Sequence, residues 1–193
     1  MNTHGVTVGV LNGYRQSDDA ARNPRSRGLL VKDLASALSV ADAARRLAVC
    51  DPPRYRSFRL LVLDPERSLV AEWDGRRLVT GSAEDRVPLI SSSFDESDVG
   101  RARRETFAAE VGEELTPERL AAFHRSHANG PSAYSVCMHR PDAGTQSFTR
   151  IAVDPGAVEL VYHPGPPCET ARETTVRLPR AERTHPQREF RST

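Results

Sequence analysis

Two short motifs stand closest to chemistry. His124-x-x-His127 falls on an expected helix, and a spacing of three puts both rings on one helical face. Cys137-x-His139 falls on an expected strand, where a spacing of two points both side chains to one side. Imidazole nitrogens and thiolates are zinc-type ligands, so these residues make a possible metal set of three histidines and one cysteine. The simpler account is preferred. Helix-end histidines complement the C-terminal dipole, and Cys137 suits a small core position. No metal is therefore expected. Ser91-Ser92-Ser93 offers hydroxyls at a strand end for a nucleophile or an oxyanion donor. It has no Gly-x-Ser-x-Gly elbow, and capping the next helix is its simpler role. Asn12-Gly13 follows the first strand, where an amide can hold a substrate carbonyl; a turn is the simpler reading. Neither Gly-x-Gly-x-x-Gly nor Gly-x-x-x-x-Gly-Lys occurs, so no phosphate cradle is expected.

The elements that must position these residues can be read in order. Val6 to Leu11 is β-branched and apolar, and predicts a buried strand. Asn2 to Gly5 reads as a turn before it. Ser17 to Arg27 reads as an exposed loop. Leu30, Leu34 and Leu38 recur at helical spacing, and Ser39-Val-Ala-Asp42 caps a second helix to Val49. Phe58 to Leu63, Leu69 to Trp73 and Arg77 to Thr80 form a meander through Asp64-Pro65 and Asp74-Gly75. Val87 to Ser91 predicts another short strand. A helix to Val111 follows, then one from Thr116 as N-cap with Pro117 behind it, ending near His127. Ala133 to His139, Ser147 to Val153 and Ala157 to Tyr162 predict three closing strands. Glu169 to Thr193 is polar and predicts a disordered tail, which leaves one domain over residues 1–168. Runs of helices and runs of strands indicate an α+β class with mostly antiparallel sheet.

Composition narrows the function classes. Lys32 is the only lysine beside 26 arginines, and the formal net charge of +1 disfavours nucleic acid as a partner. Aromatic residues are 6% of the chain, too few for a base-stacking platform. Three cysteines (Cys50, Cys137 and Cys168) make no disulfide framework and no zinc ribbon. No apolar run is long enough for a transmembrane segment and no signal peptide is visible, so a reduced, cytoplasmic setting is expected.

Several segments, taken in order, resemble the Asn-Arg-Asp-Glu (NRDE) family, whose eukaryotic member is transport and Golgi organisation protein 2. They are Gly5-Val-Thr-Val-Gly-Val-Leu-Asn12, Ser26-Arg-Gly-Leu-Leu-Val31, Phe58-Arg-Leu-Leu-Val-Leu-Asp64, Trp73-Asp-Gly75, Ile90-Ser-Ser-Ser-Phe-Asp95, His124-Arg-Ser-His127, Ser135-Val-Cys-Met-His139 and Pro164-Gly-Pro-Pro-Cys168. The resemblance implies an α-β-β-α sandwich similar to the N-terminal-nucleophile hydrolases. That family opens on Met-Cys and then Asn-Arg-Asp-Glu; neither is present here, so the first strands are expected to be missing. The expectation is that the reading frame upstream of Met1 encodes them.

Two functions follow from the resemblance. One is an amide-hydrolase-like protein with Asn12, Ser92 and His139 in its cleft, inactive as this chain because the nucleophile cysteine is absent. The alternative is a non-enzymatic haem or lipid-related binding or trafficking protein, with His124, His127 and His139 as haem ligands. Either takes an unidentified small-molecule ligand, and exposed sheet edges would favour a homo-oligomer.

Overall fold

The computed structural model describes residues 1–14, 24–84, 86–128, 130–169 and 171–181. The described residues form a mixed α+β fold with two antiparallel sheets and four α-helices. Most of the loop expected over 17–27 lies outside the described residues.

The first sheet runs in the order β1 (Thr7–Asn12), β2 (Phe58–Leu63), β3 (Ser68–Trp73), β4 (Leu78–Gly81). Its register pairs Phe58 with Trp73, Leu60 with Ala71 and Val62 with Leu69. All six are buried, so one face of the two central strands is continuously apolar. Two helices cover it, α1 (Arg27–Leu34) and α2 (Val40–Ala48). They present Leu30 and Leu34, and Val40, Ala43 and Leu47, to the core at helical spacing. Each fully buried Leu, Val or Phe there is worth about 1.5–3 kcal/mol. Ser39 caps α2 by accepting from the Asp42 N–H, as its sequence predicts.

The expected turn at the N-terminus becomes a clamp. Asn2 donates through Nδ2 to the carbonyls of Ala35 (3.0 Å) and Ala37 (2.7 Å). Its Oδ1 accepts the N–H groups of His4 and Val6. One side chain thus ties the entry to β1 to the end of α1.

The second half begins with α3 (Glu96–Glu110), capped by Asp95, and α4 (Pro117–Arg125), capped by Thr116. Their contact centres on Phe107 against Phe123, edge to face at 5.2 Å. The second sheet is β5 (Ser147–Val153), β6 (Ala157–Pro164) and β7 (Thr174–Pro179).

Three expectations change. Residues 174–179, read as part of a disordered tail, form β7 on the edge of β6. Thr-Thr-Val-Arg-Leu is β-branched, and an exposed edge strand needs little apolar bulk. Residues 182–193 lie outside the described residues. Val87 to Ser91 is not a strand, since Pro88 withdraws an N–H from any ladder. Ala133 to His139 is not a strand either. The Ser135 hydroxyl lies 2.8 Å from the Ser132 carbonyl and 2.7 Å from that of Cys137, closing the segment on itself.

Candidate metal centre

α4 stops at Arg125, and Ser126 already has extended backbone with ψ of 137°. His127 therefore leaves the helix and parts from His124. The His124 ring stays on α4, 5.1 Å from the ring of Phe148 on β5. His127 turns instead towards His139, with ring centroids 5.0 Å apart.

The folded-back segment 132–139 carries the next two groups. Cys137 donates its N–H to the carbonyl of Ser126 (3.2 Å), which fixes it beside the end of α4. Arg103 on α3 anchors the same segment by donating to the carbonyls of Ser135 and Ala133. His139 pairs with Gly144 in an antiparallel bridge, and Met138 donates to Thr145 Oγ1. These bonds do the positioning that a strand was expected to do.

The fourth group comes from far along the chain. The β5–β6 hairpin pairs Ser147 with Pro164, and Gly165 donates to the Gln146 carbonyl just beyond it. The hairpin returns the Pro166-Pro167-Cys168 segment to the start of β5. Arg125 holds that segment by donating through Nε to the Pro167 carbonyl (3.1 Å).

The result is a cluster of His127, Cys137, His139 and Cys168, whose donor atoms all lie within 4.8 Å of one another. Nε2 of His139 stands 3.6 Å from the Cys137 sulfur and 3.4 Å from the Cys168 sulfur. Tetrahedral zinc with ordinary Zn–S and Zn–N bonds separates sulfur and nitrogen by about 3.5 Å. One imidazole nitrogen cannot serve two thiols as a hydrogen-bond acceptor at full strength. Meanwhile Nε2 of His127 is buried and has no hydrogen-bond partner among the described residues. A cation at the centre satisfies all four groups at once. The two-sulfur, two-nitrogen donor set is that of Zn²⁺.

Cys137 is fully buried, whereas Cys168 is exposed. Burial pushes the Cys137 thiol up to about 11, and the neighbouring Cys168 thiol adds to the rise.

The donor cluster differs from the set of three histidines and one cysteine read from the sequence. Three members of that set converge, His124 does not, and Cys168 replaces it. Cys168 is brought near by the return of the β5–β6 hairpin, not by a spacing within a motif. Continuing the β5–β6 register past the strand ends sets residue 168 across from residue 143.

Each cleft residue expected from the resemblance has its own neighbours. Asn12 donates through Nδ2 to the Tyr14 hydroxyl at 3.3 Å. Gly13 is a point of close approach rather than a turn: its N–H donates to the Ser57 carbonyl, and a Cβ there would lie 2.7 Å from the Ser57 hydroxyl. Ser92 is buried and its Oγ accepts the Phe94 N–H at 3.2 Å, a local turn. His139 belongs to the metal cluster.

No protein-family model matches the chain, and no curated protein matches it. Among the described residues, no helix is long and apolar enough to cross a membrane.

Proposed function

We propose that the protein is a zinc-binding domain in which His127, Cys137, His139 and Cys168 hold one ion as a structural clasp. The observation that carries this is the convergence of the four donors within 4.8 Å. Four protein ligands fill a tetrahedron and leave no position for water or substrate, the pattern of a structural site. Metal analysis of the purified chain tests it. One zinc per chain is expected, lost in Cys168→Ser and in His139→Ala but retained in His124→Ala. A metal-free wild type that also fails to take up zinc overturns the reading.

The likeness to the NRDE family supports a second reading, an α-β-β-α sandwich of the N-terminal-nucleophile type. Two antiparallel sheets, one covered by a helix pair, are in keeping with it. Within that reading a binding role fits better than hydrolysis, because Asn12 and Ser92 are engaged with separate neighbours. Haem binding ranks below zinc: four donors gathered on one point suit a single small ion, and His124 is not among them. A flat absorbance titration with haemin, alongside stoichiometric zinc uptake, is the expected result.

A further inference from the structure

A second site lies away from the metal cluster, where β2, β3, the 86–90 segment and α3 meet. It is a cleft of about 580 Å³, a size suited to a small molecule. Five charged side chains line it: Arg59, Arg86, Arg104, Glu72 and Glu96. Four of them are committed to one another. Arg59 donates to Glu96 Oε1 at 2.7 Å and lies 3.9 Å from Glu72, and Arg86 reaches Glu72 at 3.3 Å. Arg59 also donates to the Ile90 carbonyl, which fixes the apolar segment above the network.

Arg104 is different. No hydrogen bond or ion pair of its guanidinium occurs among the described residues. It lies over Gly100, where its Nη2 is 3.1 Å from the place a Cβ would occupy. The surplus positive charge of the lining therefore sits on one fork-shaped donor. The same cleft is lined by Val87-Pro88-Leu89-Ile90, every member of which keeps part of its surface uncovered.

We propose that this cleft binds a small monocarboxylate with an apolar body. The carboxylate takes the guanidinium of Arg104 in a paired contact, which planar geometry favours in arginine over lysine. The apolar body lies along the 87–90 wall. A ligand of higher negative charge would meet Glu72 and Glu96, and a neutral one would leave Arg104 unanswered.

Hexanoate is the probe, read by amide shift changes over residues 86–104 in the full chain. Saturable shifts confined to that region are expected with hexanoate and not with hexanol. Arg104→Gln should weaken binding about tenfold or more, the effect of one charge-assisted hydrogen-bond pair. Arg104→Lys should recover part of it. Arg104 is exposed, so these variants keep the wild-type melting temperature. Equal binding of hexanol, undiminished affinity in Arg104→Gln, or no shifts with hexanoate would each overturn the proposal.

Discussion

The two halves of the molecule are held by different physics. Residues 6–73 supply the whole hydrophobic cluster, built from Val6, Phe58, Leu60, Val62, Trp73 and the inward faces of α1 and α2. The second half buries smaller, scattered groups such as Val99, Val111, Phe123, Cys137 and Val158. Its loops are fixed by directional contacts instead: Arg103 and Arg125 on carbonyls, the Ser132–Ser135 turn, and the Cys₂His₂ cluster. Apolar burial tolerates small shifts, because area changes gradually. Ligand geometry does not, so the second half is specified by a few atoms. A region short of apolar area can gain its stability from an ion.

Removing the ion is the sharpest way to break this contrast. Chelation, or Cys137→Ser, should strip hydrogen-exchange protection from residues 126–168 while β2 and β3 stay protected. Metal binding at such sites accounts for several kcal/mol, and each 1 kcal/mol moves the melting temperature of a chain this long by about 2–4 °C. Equal loss of protection in both halves would show that the division is wrong.

The reciprocal experiment is Leu60→Ala, which empties a position with no exposed surface at the centre of the first sheet. A cost of about 2–5 kcal/mol in denaturant unfolding is expected. Zinc stoichiometry in the surviving folded fraction should remain one per chain. A cost below 1 kcal/mol would mean that the apolar cluster is not what holds the first half.

Asn2→Ala tests a polar exception within the apolar half. It removes two donated and two accepted hydrogen bonds and leaves the carbonyls of Ala35 and Ala37 short of partners. About 1–3 kcal/mol is expected in equilibrium unfolding. A neutral result would show that water replaces the amide freely.

The smallest effect is a pH response in the second half. The Asp154 carboxyl is held below its ordinary value of 3.8, first by the Gly156 N–H and then by that of Ala157. The folded value is depressed, so its contribution is complete above the ordinary value and fades as pH falls through the folded one. Amide shifts of Gly156 and Ala157 should titrate together with a midpoint under 3.8. A midpoint at or above that value would remove the carboxylate from the turn.

The first half was largely legible in the sequence because its signals are local. The apolar run Phe58–Leu63, the helical spacing of Leu30 and Leu34, and the Ser39 cap act within a few residues. The metal centre was only partly legible. Cys137-x-His139 was visible, but its partners depend on where α4 stops and how a hairpin returns. The i, i+3 argument for His124 and His127 assumed a helix that Ser126 has already left. Cys168 stood at the last residue read as ordered, beside a stretch read as a disordered tail for its polarity, though pairing with β6 orders the chain just beyond it. The arginine excess was equally silent: as composition it says little, yet guanidinium groups reach carbonyls of Ser57, Ile90, Val111 and Asp154 across the fold.

The proposed clasp would also make a ring of the chain. With the proposed ion bound, residues 127 and 168 would meet through it, and the whole β5–β6 hairpin would lie inside a closed loop. Pulled from its two ends, the protein would pay out the strands on either side while about 140 Å of extended chain stayed hidden behind the metal. That length would appear as a single late step, and only when a metal–ligand bond ruptured.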